Sequence, residues 1–366
     1  MDAETSSEIN LPDRGLDNYA SHPSTKILML AWAVNDALPD VWFPADGPMP
    51  ENLKLMIQRP EITKWAFNAE FERTILSKVA GIQTNPGDWR DPMVMGRYAS
   101  VAGNLEFVGK VLGLAEDEAK LATGKKLIRL FCEPNRKGVF NTRDSHPEEW
   151  KQFVDYCKQD VIAERRIGEK LKAFRLPSME RQLYVLDQEI NARGIPVDME
   201  FVRKASAIAA EERAELLAEM KRLTGLENPN STKQLLAWLK TNAYPYGSLG
   251  AKWVRKALEG TDVSSDGRRG LELRQQLAKS STAKLETLAD LVSADGRVRH
   301  AYAFMGAART GRWAGRGAQP HNFPRPTLKD IEGATAAILT GDRAAVRKFG
   351  SVLEVVASCL RSAIAA

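Results

Sequence analysis

Five side chains in three separate stretches of the sequence have the types and spacing of a site that binds divalent cations. Asp2 and Glu4 are two residues apart, and alternate residues of a strand point to the same face. Neighbouring carboxylates repel each other unless a cation lies between them. The pair therefore indicates a metal site, although two acids at this spacing are also common among surface residues.

The second stretch contributes Glu72. The segment Trp65-Ala-Phe-Asn68 joins a predicted strand to a helix predicted over 69–79. Asn68 is placed to cap that helix through its side chain. Glu72 follows in the first turn, where it either points back toward the end of the strand that carries Asp2 or only complements the helix dipole.

The third stretch contributes Tyr156 and Asp160, which are four residues apart and therefore share one face of a helix. Ser145-His-Pro-Glu148 has the form of a capping box, which predicts that this helix begins there and continues to about Phe174. In isolation the pair fits a functional site and a buried tyrosine beside a solvated aspartate equally well.

These stretches must be positioned by a region of mixed α/β character, residues 1–175, and the rest of the chain is mostly helical. Strands are predicted at 26–34, 41–43, 63–67 and 298–304. Helices are predicted at 69–79, 104–112, 116–131, 145–174, 179–192, 199–223, 233–239, 252–258, 271–292 and 353–364.

The charge is unevenly distributed. The net charge of +5 is the sum of −2 over residues 1–175 and +7 over residues 176–366, and seven basic residues with no acid lie between Gly296 and Lys329. This distribution indicates that the basic half binds a polyanion such as a nucleic acid and that the acidic half acts on it chemically. Chance asymmetry on a solvated surface is the alternative.

Several classes of protein are excluded. The sequence has no apolar run long enough to cross a membrane, and its acidic, polar first residues are unlike a secretory signal. Three scattered cysteines without a CxxC pair argue against a zinc site and a disulfide framework, and favour the reducing cytosol. Neither a GxGxxG motif after a strand nor a GxxxxGK[ST] motif is present, so a dinucleotide site or P-loop is not expected.

In their order along residues 1–175, the acidic motifs resemble those of the DEDD superfamily of 3′–5′ exonucleases, in its Tyr-containing, proofreading branch. The resemblance implies an RNase H-like mixed-sheet domain. It also implies that Asp2, Glu4, Asp160 and Glu72 bind two Mg²⁺ or Mn²⁺ ions, with Tyr156 orienting the attacking water at the single-stranded 3′ end of DNA. Asn68 belongs to the second motif and is expected to contact DNA.

Two features depart from that family's pattern. Glu72 stands where an aspartate is usual, and Met1 alone precedes Asp2, so that the first strand is either short or trimmed. Both leave open a non-catalytic DNA-binding module as the alternative to an active exonuclease.

The basic segment resembles the start of the polymerase domain of family A DNA polymerases. The matching motifs are Asp295-Gly-Arg297, Thr310-Gly-Arg312 and Gln319-Pro-His-Asn322. They imply that a primer–template duplex is bound by Arg309, Thr310, Gly311, Arg312, Arg316, Gln319 and Asn322. The helical region before them, with Ser231-Thr-Lys-Gln-Leu235 and Ser280-Ser-Thr-Ala-Lys-Leu285, is similar to the thumb of these enzymes.

Together the resemblances predict three parts: an exonuclease domain over 1–175, a thumb-like region over 176–294 and a truncated palm over 295–366. The polymerase carboxylate motifs are missing, so this chain alone is not expected to polymerise DNA, and its last thirty or so residues are expected to be poorly ordered. A split polymerase, completed by a separate chain, remains a further alternative. The protein is expected in the cytosol of a bacterium or a phage-infected cell, with no membrane partner.

Overall fold

The computed structural model describes residues 1–115, 124–278 and 282–365. The chain divides into two compact units, each built from two segments. Unit 1 is Met1–Ile195 with Leu291–Gln319, and unit 2 is Pro196–Asp290 with Pro320–Ala366. The predicted mixed α/β class is confirmed. Within the described ranges, no helix combines the length and the apolarity that a bilayer crossing needs.

Unit 1 contains a three-stranded antiparallel sheet, a parallel strand pair, a hairpin and eight helices among the described residues. Its strands are β1 Asp2–Ser6, β2 Lys26–Trp32, β3 Asp40–Trp42, β4 Lys64–Trp65, β5 Trp89–Arg90, β6 Ile195–Pro196 (which ends in unit 2), β7 Arg297–Val298, β8 Tyr302–Ala307 and β9 Arg312–Gly315. Its helices are α1 Leu11–Ser21, α2 Glu51–Gln58, α3 Ala69–Lys78, α4 Pro92–Tyr98, α5 Leu105–Val111, α6 Gly124–Phe131, α7 Pro147–Lys170 and α8 Ser178–Arg193.

The sheet is ordered β1-β2-β3, with β1 paired to β2 in the register Asp2 to Ala31 and Glu4 to Met29. One face packs on α2, α3 and the β4–β5 pair through a core that includes Leu30, Leu53 and Trp89. The other face packs on α6 and α7 through Met29 and Phe153. Helix α7 contacts β1, and α3 follows β4 along the chain, so the predicted acidic residues lie at the start of β1, in the first turn of α3 and in the middle of α7.

Unit 2 is helical, and the expectation of a poorly ordered C-terminal segment is wrong. Its helices are α9 Met199–Thr224, α10 Thr232–Thr241, α11 Ala251–Glu259, α12 Ser265–Leu277, α13 Ala283–Leu291, α14 Ile331–Thr340, α15 Arg343–Arg347 and α16 Val352–Ser358. Helices α14 and α16 pack on α9, α15 packs on α14 and α16, and Val355, Val356 and Leu360 are fully buried. Apolar burial of this kind stabilises the segment without any sheet partner.

Several predicted boundaries shift. Helix α7 begins at Pro147 after a His146 N-cap that makes no side-chain hydrogen bond. The Ser145 hydroxyl instead accepts from the Thr142 amide at 2.8 Å and donates to its carbonyl at 3.0 Å, so the predicted capping box is wrong. The helix predicted over 271–292 is divided into α12 and α13. Parts of the predicted helix 116–131 and of Ser280-Ser-Thr-Ala-Lys-Leu285 lie outside the described residues.

Candidate active site

Strand β1 brings Asp2 and Glu4 into one cluster. Their residues pair with alternate residues of β2, and a register shift follows Glu4. One carboxylate oxygen of Asp2, one of Glu4 and the sulfur of Cys157 all lie within 4.8 Å of one another. Glu4 is buried, and the Cys132 thiol donates to its Oε2 at 3.9 Å. The two acids therefore share one small volume, as their spacing predicts.

Helix α7 contributes three side chains beside this cluster, those of Tyr156, Cys157 and Asp160. Tyr156 and Asp160 are buried and joined by a side-chain hydrogen bond. Burial first, then the negative charges of Asp160 and Glu4, raises the pKa of Tyr156 far above its ordinary value. The phenol therefore stays neutral and donates its one proton to the Asp160 carboxylate.

Cys157 belongs to the same group but differs chemically from the acids. Its Sγ lies 3.4 Å from Oδ2 of Asp2, to which the thiol donates. Burial, followed by the charges of Asp2 and Glu4, raises the pKa of Cys157 well above the usual value. Hard divalent cations such as Mg²⁺ and Mn²⁺ prefer oxygen to sulfur ligands, so the carboxylate oxygens define the chemistry of the cluster.

Helix α3 adds Glu72 from its first turn. Burial, then repulsion by Asp2 and by Glu164, raises the pKa of Glu72 well above the ordinary value. Among the described residues its buried Oε2 has no hydrogen-bond partner. A buried carboxylate oxygen without a donor is costly, and a divalent cation would satisfy it and relieve the repulsion from Asp2. Hard carboxylate oxygens of this kind fit Mg²⁺ or Mn²⁺.

Glu164 is a fifth acid near the cluster, and the motifs do not indicate it. It lies one helical turn after Asp160 on α7, and it is buried. Its Oε2 accepts from the Phe67 amide at 2.8 Å, and the Met1 ammonium group bonds to its Oε1. Burial raises the pKa of Glu164 to about 7, against the opposing effect of that ammonium group. The four-residue spacing between Asp160 and Glu164, which places both on one face of α7, is the sequence feature that could have indicated Glu164.

The role of Asn68 differs from the predicted one. Asn68 occupies the N-cap position of α3, but in the left-handed conformation (φ 73°, ψ 48°) and without a side-chain capping bond. The Asp91 carboxylate caps the helix instead, accepting from the Asn68 amide at 3.0 Å and the Ala69 amide at 3.1 Å. The predicted Asn68 cap is therefore wrong.

Gly124, the first residue of α6, lies directly against Tyr156. A Cβ at this position would stand 2.1 Å from Cε2 and 2.8 Å from the hydroxyl of the tyrosine. Contacts below 3.0 Å with a buried ring force something to move. Glycine here lets the phenol occupy its position beside Asp160.

The predicted DNA-binding residues divide between the units. Arg309, Thr310 and Arg312 lie exposed around the turn that joins β8 to β9 in unit 1, with Gln319 at the end of that segment. Asn322 lies in unit 2, where its carbonyl accepts from Lys284 Nζ at 3.1 Å. Gly311 supplies the positive φ of 64° that the turn requires.

Within the described part of the chain Arg316, unlike Arg309 and Arg312, forms an ion pair inside unit 1. Its guanidinium donates to Oε2 of the buried Glu70, while Nδ1 of His300 lies 2.9 Å from Oε1. Burial raises the pKa of Glu70, but His300 and Arg316 outweigh it and bring the pKa to about 2. Glu70, which sequence reasoning missed, thus ties the hairpin to helix α3.

The fold is similar to that of a DNA polymerase domain. The chain aligns over 86% of its length, and over 52% of the other chain, with the POL domain of Pol1 from M. smegmatis, solved in complex with DNA primer-template and dNTP. The TM-score is 0.53 and the sequence identity 15%. At this identity the likeness describes the fold alone.

In sequence the chain is homologous to a phage DNA polymerase. It is 36% identical over 371 residues to the DNA polymerase of Bacillus phage SP02, a match that spans 99% of this chain. The chain covers 57% of that relative's length. No protein-family model matches the chain.

Proposed function

We propose that this chain is the exonuclease-containing part of a family A DNA polymerase and removes nucleoside monophosphates from the 3′ ends of DNA during replication. The observation that carries the proposal is that Asp2 and Glu4 lie within 4.8 Å of each other and of the Cys157 sulfur, while Tyr156 is hydrogen-bonded to Asp160 and Asp2 repels the buried Glu72. These acids come from three distant stretches, and mutual repulsion makes their association unfavourable unless cations bind there. The homology to a phage DNA polymerase agrees with this function.

In this proposal residues 1–175 form an RNase H-like exonuclease domain, residues 176–294 a thumb-like region and residues 295–366 the start of a palm. Two divalent cations, Mg²⁺ or Mn²⁺, would be held by Asp2, Glu4, Asp160 and Glu72. When bound, they would supply activation of water and neutralisation of the leaving 3′ oxygen. The ligand oxygens are held in place by β1, α3 and α7.

Tyr156 would act as a positioning group. Its raised pKa keeps the phenolic proton in place through the neutral range, where Asp160 accepts it, so the hydroxyl oxygen would accept a hydrogen bond from the attacking water and hold it in line with the terminal phosphodiester. The buried surroundings exclude bulk water, which strengthens every electrostatic contact made there. A terminal nucleotide must unstack to enter such a pocket, which favours single-stranded 3′ ends.

The partner in this proposal is DNA. Its single-stranded 3′ end would enter the acidic cluster near Asn68. A primer–template duplex would contact Arg309, Thr310, Arg312, Gln319 and Asn322. Arg316, in contrast, would act mainly through Glu70, because its guanidinium is already bonded to that carboxylate. The solved Pol1 domain is a complex with primer-template, which supports DNA as the ligand.

The test is the release of mononucleotides from 3′-labelled single-stranded DNA with Mg²⁺ or Mn²⁺. Asp160→Ala should lower the rate by roughly a hundredfold or more, the scale on which the loss of one electrostatic stabiliser acts. Asp155→Ala is the matched control, since it removes an exposed aspartate from the same helix. Undiminished activity in Asp160→Ala would contradict the assignment of the site.

The alternatives give different results in the same assay. A non-catalytic DNA-binding module would bind DNA in a salt-dependent way with no mononucleotide released by either variant. A subunit of a split polymerase would extend a primer only after a second chain carrying the missing carboxylate motifs is added.

A further inference from the structure

Unit 2 carries a cluster of aromatic and basic side chains that the acidic site and the hairpin do not use. Between Glu227 and Glu259 the sequence has five basic residues and no acidic one. Three of these, Lys252, Arg255 and Lys256, are exposed on α11. Together with Tyr246 and Trp253 they form what is termed here the aromatic–basic patch.

The aromatic rings of the patch are held in a fixed arrangement. The centroids of Tyr246 and Trp253 are 4.9 Å apart with the planes tilted by 31°, and Tyr244 meets Tyr246 edge-on at 5.5 Å. Tyr244 is buried, and its hydroxyl donates to the Ser248 carbonyl at 2.8 Å. The buried Tyr244 thus holds Tyr246 in place, while Trp253 keeps 36% of its surface exposed.

Positive charge lies directly beside these rings. Lys252 Nζ is 5.2 Å from the centroid of Trp253, and Lys256 Nζ is 5.7 Å from that of Tyr246. Within the described residues none of the three cations of α11 forms an ion pair. Val254 and Ala257 are buried on the opposite face of the helix. Packing in the core therefore explains the residues of that face but not the exposed lysines and arginine. Exposed, uncompensated cations around an exposed indole suit an anionic ligand with flat aromatic groups.

We infer that the aromatic–basic patch binds single-stranded DNA, with a base stacked on Trp253 and the neighbouring phosphates beside Lys252 and Lys256. Aromatic platforms flanked by cations bind single strands with little sequence preference, because every base has a π-face. A duplex presents its bases only at groove edges, so it cannot use the indole in this way. The inference goes beyond the proposed exonuclease and does not depend on it.

The test measures the affinity of the full chain for a fluorescein-labelled oligo(dT) of about twelve nucleotides, in EDTA so that nothing is cleaved. Trp253→Ala should weaken binding by roughly tenfold, the effect of losing one stacked base, and Trp253→Phe should retain most of the affinity. Lys252→Gln with Lys256→Gln should reduce the slope of log affinity against log salt by about one. Lys54→Gln with Lys110→Gln removes the same charge from exposed positions of unit 1 and should change neither quantity.

Two results would overturn the inference. The first is a Trp253→Ala protein that unfolds at the parental temperature and binds the oligonucleotide unchanged. The second is an equal loss of affinity for a blunt duplex of the same length, which would identify a duplex-backbone contact instead. Loss of nuclease activity in Asp160→Ala leaves this measurement untouched, so failure of the proposed exonuclease and failure of the patch are distinguishable.

Discussion

At the scale of single residues, the proposed water-positioning hydroxyl of Tyr156 depends on a neighbour with no side chain. Gly124→Ala would place a methyl group within 2.1 Å of the ring. We expect the tyrosine to be displaced from Asp160, and nuclease activity to fall by roughly tenfold to a hundredfold, because small misplacements of reacting groups are costly. The measurement is the rate of 3′-end degradation at saturating metal.

The matched control for this change is Gly109→Ala. It alters a helical glycine of α5 whose added Cβ would meet Leu114 Cδ2 at an ordinary 3.5 Å. It should keep parental activity. Equal activity in both variants would show that the contact between Gly124 and Tyr156 does not position the phenol.

The repulsion among Asp2, Glu4 and Glu72 predicts that divalent cations stabilise the protein against heat. A cation that binds the folded state alone at a hundred times its Kd adds about 2.7 kcal/mol to the free energy of unfolding. Mn²⁺ should therefore raise the Tm of the parent protein in differential scanning fluorimetry. Asp2→Asn should remove most of that rise, whereas Asp155→Asn should keep it. A rise that survives in Asp2→Asn would mean that the cation binds elsewhere.

The residues of the acidic cluster could be predicted because they form short local patterns whose order along the chain is informative. The residues that hold the cluster and its helices in place could not be predicted in this way. Asp91 caps α3 from 23 residues away in sequence, and nothing local to Asn68 shows that its side chain is relieved of the capping role. Glu70 looks like an ordinary acid in a first helical turn, and only the fold brings Arg316 to it from 246 residues away.

At the scale of elements, the hairpin β8–β9 and the residues flanking it are anchored to α8, α4 and α3, and α3 is the helix that carries Glu72. Trp313 Nε1 donates to Oδ1 of Asp187 on α8 at 2.6 Å, and the Arg97 guanidinium on α4 donates to the Phe304 carbonyl at 3.1 Å. Arg316 and His300 reach Glu70 on α3. Local propensity predicts a strand near residues 298–304, but not that the strand returns as a hairpin onto helices formed 100 or more residues earlier.

The ion pairs of Glu70 predict a defined pH dependence of stability. With a pKa of about 2 in the folded protein against 4.5 unfolded, this carboxylate stabilises the fold fully above pH 4.5, and the contribution is lost as pH falls toward 2. At neutral pH it amounts to about 3 kcal/mol. Glu70→Gln should therefore lower the free energy of unfolding at pH 7 and flatten its decline between pH 4.5 and 2, as measured by urea titration.

The difference between variant and parent is the informative quantity, because other acids act in the opposite sense. Burial raises the pKa of Asp187 to about 6, despite its hydrogen bond from Trp313, and the stability it contributes is lost as pH rises through that value. Glu106→Gln, at an exposed position of α5, serves as the control. A Glu70→Gln curve parallel to that of the parent would contradict the ion-pair account.

At the scale of the whole molecule, unit 1 is completed by a segment that follows a long insertion. Phe304 and Met305 are buried against Val94 and Tyr184. A fragment ending at residue 195 leaves this apolar surface exposed, and we expect its thermal transition to lie below that of unit 1 in the full chain. Adding a peptide of residues 291–319 should raise the Tm of the fragment.

A peptide with Phe304→Ala and Trp313→Ala provides the comparison. It should give little or no increase, because it lacks the two rings that pack at 5.3 Å from each other in the hairpin. An equal increase with both peptides, or a fragment as stable as the intact unit, would show that the hairpin contributes nothing to the stability of unit 1.

The interleaving of the two units has a consequence for synthesis on the ribosome. After Ile195 the ribosome must make the 95 residues from 196 to 290 before the hairpin that completes the first unit emerges. Until then Val94 and Tyr184 lack the contacts with Phe304 and Met305, and a nascent chain with exposed apolar side chains is a substrate for chaperones and a risk for aggregation. Translation speed across that insertion therefore sets how long the newborn protein stays vulnerable.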